Sequence, residues 1–171
     1  MKQYLRLFAL AVVLFVLSSS CKTSSSGQNR SVASLSIPYK KGDPVLISAH
    51  RGGKLLDEWP ENCLETMDFL YQKGIRMFEV DVNQTGDGTL VLLHDRSLER
   101  TTNGTDLLKM YKFEELVKFN LIDHRGVETP YKIPLLKDVI HWAKNRPEVI
   151  LQLDLKGADY EDLADLLKLE G

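Results

Sequence analysis

The chain has 171 residues, 43% of them apolar, an ordinary share for a globular protein and enough to bury a core. Its formal charge at pH 7 is -2, and the first twenty residues hold Lys2 and Arg6 but no acid, so the remainder of the chain is more acidic still. That balance argues against a nucleic-acid binder, which needs clustered Lys and Arg against the phosphate backbone.

The first segment reads as a targeting signal. Lys2 and Arg6 precede an unbroken apolar run from Leu7 to Leu17, followed by Ser18, Ser19, Ser20 and Cys21. The run is shorter than the roughly 20 residues a membrane-spanning helix needs, but it suits the core of a secretory signal. Small residues leading into a Cys resemble a bacterial lipoprotein signal, which implies lipid on Cys21 and a place on the periplasmic or outer-membrane face of the envelope. Leu17 stands four residues before Cys21, where the usual pattern has three, so cleavage without lipid is the alternative. Cys21 and Cys63 are the two cysteines, and lipid on the first leaves no internal disulfide. The division expected is therefore 1–21 signal, 22–37 flexible Ser-rich tether and 38–171 folded domain.

Within the domain, Val45 to Ala49 reads as a short buried strand ending in His50-Arg51-Gly52-Gly53. A helix is expected from Asn62 to about Lys73. Asn62 and Glu65 make its capping box, Leu64, Met67 and Tyr71 line its inner face, and Gly74 stops it. Phe78 to Asp95 comes next, FEVDVNQTGDGTLVLLHD. Phe78, Val80 and Val82 alternate with Glu79, Asp81 and Asn83, so the strand period of two puts both carboxylates on one face. Leu90 to Leu93 is strand-like again and delivers His94 and Asp95. The link from Asp81 to Leu90 is too short for a helical crossover. It reads either as a hairpin or as a descent before the next rise.

A loop-rich region contains Arg100-Thr101-Thr102-Asn103-Gly104, then a short helix carrying Phe113, Leu116 and Val117. A helix after Pro134 shows Leu136, Val139, Ile140 and Ala143 on one face until Pro147. Val149 to Leu155 is a strand holding Asp154, with Lys156 after it. The last helix begins at Asp159 and turns Leu163, Leu166 and Leu167 inward. Four β segments with intervening helices fit a small open α/β sheet or part of a (β/α)₈ barrel. His50 with Arg51, Glu79 with Asp81, His94, and Asp154 with Lys156 all fall at strand ends, where barrel active sites gather.

Six motifs in order, HRGG at 50–53, PEN at 60–62, EVDV at 79–82, TGDGTLVLLHD at 85–95, RTTNGT at 100–105 and DLK at 154–156, resemble the glycerophosphodiester phosphodiesterase family. The resemblance runs from about Val45 to Gly157. It implies a TIM (β/α)₈ barrel and hydrolysis of glycerophosphodiesters to glycerol 3-phosphate and an alcohol, with a divalent cation, Ca²⁺ or Mg²⁺. It further implies Glu79, Asp81 and Asp154 as metal ligands, His50 and His94 as the acid/base pair, and Arg51 and Lys156 as phosphate contacts. Glu61 is implied as a site residue supporting them. The family's third carboxylate is normally Glu; here it is Asp154. Cys63 stands where Thr is frequent. The attacking hydroxyl implied is the glycerol's own, giving a cyclic phosphate that water opens.

The chemistry is consistent with these residue types. A phosphodiester anion repels nucleophiles, so a hard cation held by carboxylate oxygens, with Arg and Lys, neutralises charge developing on the phosphoryl oxygens. Imidazoles with pKa values near neutrality can take and return protons. Taken singly, each residue also has an ordinary reading: two alternating acids suit a solvated strand face, and Asp154 with Lys156 a surface ion pair. His124, in a loop, and His141, on a helix with no acidic partner nearby, are read as structural. Alternatives in function are a related phosphodiesterase acting on another head group and a non-catalytic phosphate-binding lipoprotein. A complete barrel takes about 250 residues, so the expectation is the N-terminal half of one, four strands of eight, with activity depending on the rest.

Overall fold

A computed structural model describes residues 41–42, 45–54 and 56–170; the expected signal, Cys21 and the 22–37 tether lie outside the described residues. No described helix is long and apolar enough to cross a membrane. The compact unit begins at Gly42. Its strands and helices in chain order are β1 (Ser48–Ala49), α1 (Leu64–Gln72), β2 (Met77–Gln84), β3 (Leu90–Leu92), α2 (Phe113–Leu116), α3 (Leu136–Lys144), β4 (Ile150–Leu155) and α4 (Tyr160–Glu170).

Strand β2 is the axis of the sheet. On one edge it runs parallel to β1, with Ser48 opposite Met77 and Ala49 opposite Phe78. On the other it runs parallel to β4 in unbroken register from Met77–Ile150 to Val82–Leu155. β3 folds back antiparallel, Val82 facing Leu92 and Gln84 facing Leu90. Val82 is thus paired on both sides, which puts β3 on the same edge of β2 as β1. This settles the Asp81-to-Leu90 link as a hairpin: its turn closes through Thr85 N–H to Thr89 O at 3.0 Å and Gly88 N–H to Thr85 O at 3.2 Å. The four β segments are therefore three parallel strands and one antiparallel ribbon, the hairpin of the two readings the sequence leaves open. A parallel crossover takes a dozen residues or more, and the link does not have them.

The faces follow the alternation. Phe78, Val80 and Val82 turn to a core shared with Met67 of α1, Val139 and Trp142 of α3, and Leu163 of α4. Trp142 meets Phe78 edge-on at 5.5 Å between ring centroids and donates its indole N–H to Asp68 at 2.9 Å. In β3 successive residues separate: Leu90 and Leu92 join that core, whereas Val91 and Leu93 join a second one with Leu98, Leu108, Leu116 and Leu121 under the 96–134 loops. The hairpin tip docks on the same loops, Gly86 N–H donating to Tyr111 O at 2.8 Å. A Cβ on Gly86 would run into the Lys109 carbonyl, so the approach requires glycine there.

Several expectations are corrected. Val45, Leu46 and Ile47 are 79%, 47% and 63% exposed, and only Ser48 and Ala49 form strand; no described strand lies beside the earlier residues to pair with them. α1 begins at Leu64, not Asn62. Asn62 lies in the left-handed region at φ 52, and Glu65 accepts from the Cys63 thiol at 3.0 Å instead of closing a capping box. Leu167, expected inward, is 41% exposed, and Val117, expected on the short helix, is 56% exposed. Val117 falls just past the single turn of α2, and only Leu163 and Leu166 of that face in α4 reach the core. His141, read as lacking an acidic neighbour, is bonded to Glu170 of α4. Gly74 does stop α1, its N–H returning to Tyr71 O at φ 98, and Asp159 caps α4 by accepting from Glu161 N–H at 2.8 Å.

Candidate active site at the strand ends

Parallel register brings the acids together. Asp81 of β2 lies directly opposite Asp154 of β4, and Glu79 is two residues back on the same face. One carboxylate oxygen from each of Glu79, Asp81 and Asp154 falls within 4.8 Å of the other two. Oxygens sharing one cation at about 2.3–2.6 Å from it span such separations, and an all-oxygen set favours a hard ion such as calcium or magnesium. The donor set therefore fits the divalent cation expected from the sequence.

The chain leaving β1 wraps these acids. His50 follows Ala49, and its Nε2 stands 3.9 Å from Glu79 Oε2. Arg51 donates its backbone N–H to the same oxygen at 2.8 Å. It does so from φ 52, a conformation that costs a side-chain-bearing residue energy and is concentrated at functional sites. Gly53, at φ 132, lets this turn press against α1, where a Cβ would strike Thr66 and Leu70. The Arg51 guanidinium donates through Nη1 to Glu61 at 3.0 Å, while Nε, 3.7 Å from Asp81 Oδ2, is buried with no hydrogen-bond partner among the described residues. An orphaned charged donor beside a carboxylate cluster is what an anionic substrate oxygen would satisfy.

Asp81 is the hub, 1% exposed. Asn62 holds it twice: Nδ2 donates to Oδ2 at 2.8 Å, and Oδ1 accepts from the Asp81 backbone N–H at 3.0 Å. Lys156 Nζ approaches Oδ1 to 3.4 Å and donates to Asp154 Oδ2 at 2.7 Å. Its hydrogen bond to Asp154, ahead of the charge of Asp81, raises its pKa above the ordinary lysine value.

His94 arrives because the hairpin carries it there. Leu93 N–H donates to Asp81 O at 3.1 Å, the next residue is His94, and its Nδ1 lies 2.5 Å from Asp95 Oδ1. Arg100 donates to Asp95 through Nε at 2.5 Å and to Glu61 through Nη2 at 2.8 Å. The hydrogen bond from Arg100 is the main cause that brings the Asp95 carboxyl down to about 2, with His94 adding to it. An Asp95 ionised at neutral pH accepts from Nδ1–H and leaves Nε2 as the free nitrogen. Burial alone would raise the pKa of Glu61, but Arg100 and Arg51 outweigh it and hold it below the usual carboxylate range. A continuous chain of hydrogen bonds and ion pairs thus runs from His94 through Asp95, Arg100, Glu61 and Arg51 to Asp81.

All eight domain residues expected at the site are accounted for. Glu79, Asp81 and Asp154 converge, with His50, Arg51 and Lys156 against them. Glu61 lies behind Arg51, and His94 is tied in through Asp95. No hydrogen bond joins His50 and His94 among the described residues. Sequence reasoning missed Asn62, assigned to a helix cap, and gave no role to Asp95 or Arg100. Their presence in PEN, the HD pair and RTTNGT was the available signal.

The parallel strands have helices behind them and gather acids, imidazoles and cations at their ends, the arrangement of a site in an α/β barrel. Residues 50–159 match the glycerophosphoryl diester phosphodiesterase family, and the chain belongs to that family. It is 35% identical over 118 residues to the glycerophosphodiester phosphodiesterase of Bacillus altitudinis, covering 67% of this chain and 46% of that one. The crystal structure of a glycerophosphoryl diester phosphodiesterase from Parabacteroides distasonis superposes with a TM-score of 0.70 at 41% identity, over 76% of this chain and 45% of that one. An Oleispira antarctica phosphodiesterase, solved with the product sn-glycerol-3-phosphate, gives 0.61 at 28% identity, over 72% and 51%. The chain spans about half the length of these relatives, and its fold is correspondingly part of a TIM (β/α)₈ barrel.

Proposed function

We propose that the protein hydrolyses glycerophosphodiesters to glycerol 3-phosphate and an alcohol, in phospholipid and glycerol metabolism, using one Ca²⁺ or Mg²⁺ at Glu79, Asp81 and Asp154. The observation that carries this reading is the convergence of three carboxylate oxygens within 4.8 Å beside an orphaned, buried Arg51 Nε. A cation there supplies positive charge against the phosphoryl oxygens.

The chain's own residues do the rest. Arg51 offers Nε to a phosphate oxygen, with its orientation held by Glu61 and the Glu79 contact to its backbone. Lys156 adds a cation beside Asp81 and Asp154. His94, steadied through Nδ1 by Asp95, exchanges a proton at Nε2, and His50 at the end of β1 acts as its counterpart. Asn62 keeps Asp81 in place throughout. For the N-terminus, the proposal is lipid on Cys21, residues 22–37 as tether and the domain on the bacterial envelope; Cys21→Ser is then expected to move the protein to the soluble fraction.

Turnover of glycerophosphocholine with and without chelator tests the reading. Metal-dependent release of glycerol 3-phosphate, lost in Glu79→Ala and Asp81→Ala along with calorimetric metal binding, is the expected result. Turnover indifferent to chelator, or metal affinity unchanged in both variants, overturns it.

A further inference from the structure

Beside the strand ends lies a cavity of about 380 Å³ that the proposed chemistry does not use, lined by Lys54, Glu61, Arg100, Thr101, Asp123 and Arg125 among others. Its volume is that of a small-molecule site. It is one side chain away from the reaction centre, because a single oxygen of Glu61 accepts from Arg51 at 3.0 Å on one side and from Arg100 at 2.8 Å on the other.

The charges in its wall are unequal in availability. Asp123 is fully buried and saturated: it accepts from the backbone N–H groups of Glu58, Arg125 and Val127 and from the Arg125 guanidinium. Glu61 is committed to two guanidiniums. Both acids are thereby neutralised from behind, whereas Lys54 has no ion pair among the described residues. A second, independent observation points to a ligand. Thr101 is 4% exposed and lines the cavity, yet its hydroxyl has no hydrogen-bond partner among the described residues. Buried polar atoms left unpaired in a cationic cavity are satisfied by a ligand that accepts hydrogen bonds.

We propose that this cavity receives the departing alcohol of the substrate and selects alcohols bearing a second anionic group, a carboxylate or phosphate, over cationic ones. Lys54 supplies the charge and Thr101 a hydrogen bond. The proposal rests on the phosphodiesterase reading for where the phosphoryl group lies, but its test does not need turnover.

The full chain carrying His94→Ala and loaded with Ca²⁺ is titrated calorimetrically with glycerophosphoserine, whose head group adds a carboxylate to its ammonium, and with glycerophosphocholine, whose head group carries a cation alone. The serine ester is expected to bind about fivefold to tenfold more tightly, an effect of the size expected for one partly screened charge pair. Lys54→Gln is expected to bring the ratio to within about twofold, and Thr101→Val to weaken the serine ester at unchanged thermal stability. Equal affinities with Lys54 in place, no binding of either ester, or a preference that survives Lys54→Gln each overturn the proposal. Metal binding is scored separately. A chain that shows the preference but binds metal as tightly after Glu79→Ala and Asp81→Ala refutes the phosphodiesterase reading and leaves the anion site standing.

Discussion

Replacing Asn62 by Ala removes both clamps on Asp81 while touching no ligand atom. The lost Nδ2 bond to a buried carboxylate contributes about 2 kcal/mol, and the Asp81 backbone N–H left without its partner costs about 1 kcal/mol more. Alanine must also hold φ 52, which costs roughly 1 kcal/mol that Asn bears more easily. The total is about 4 kcal/mol. With roughly 2.1 cal/mol/K of unfolding entropy per residue across Gly42–Gly171, Tm falls by about 15 °C. Loss of a residue that orients a metal ligand lowers metal affinity by roughly 10-fold to 100-fold. Asn62→Gly deletes the same bonds without the backbone strain, so it is expected to be about 1 kcal/mol milder. Thermal unfolding followed by circular dichroism and metal calorimetry measure both effects. Variants melting within about 2 °C of the parent, or binding metal as tightly, would refute the assignment of Asn62 as the residue that positions Asp81.

Asp95 titrates at about 2 in the folded chain against an ordinary 3.8, so its contribution to stability is present above pH 4 and is lost as pH falls toward 2. Arg100→Met removes the main cause, and Glu61, lowered by the same arginine, shifts in the same direction. Urea midpoints at pH 5 and pH 3 should therefore differ less in Arg100→Met than in the parent, and equal differences would contradict the pairing. The Cys63 thiol is pushed up to about 12, first by burial and then by its hydrogen bond to Glu65. In a Cys21→Ser background it is expected to resist a thiol reagent at pH 8 until the chain is unfolded. Asp154→Glu extends the one carboxylate of the cluster that is half exposed, 48% at the side chain, and is expected to tighten calcium binding severalfold by calorimetry. An unchanged or weaker affinity would show that the shorter side chain already reaches the ion.

Local pattern carried much of this architecture. The alternation in Phe78–Asn83 was enough to put Glu79 and Asp81 on one face and the aromatic and valine side chains on the other, because a strand's period of two is a property of the backbone alone. Gly74 and Asp159 marked helix ends for equally local reasons. The motifs also named the residues that meet at the strand ends. Packing decided what local pattern could not. Asn62 has the composition and spacing of a helix cap, yet its amide goes to Asp81, 19 residues away, because β2 passes beside it in the folded sheet. Arg100 finds Glu61 across 39 residues, linking two motifs that are unrelated along the chain. Val45 to Ile47 have every strand-forming side chain and still lie exposed, since a strand is made by hydrogen bonds to a neighbour and β2 meets this stretch only at Ser48 and Ala49. Propensity states which conformations a segment tolerates; partners distant in sequence determine which of them it adopts and which side chains remain free to bind a ligand.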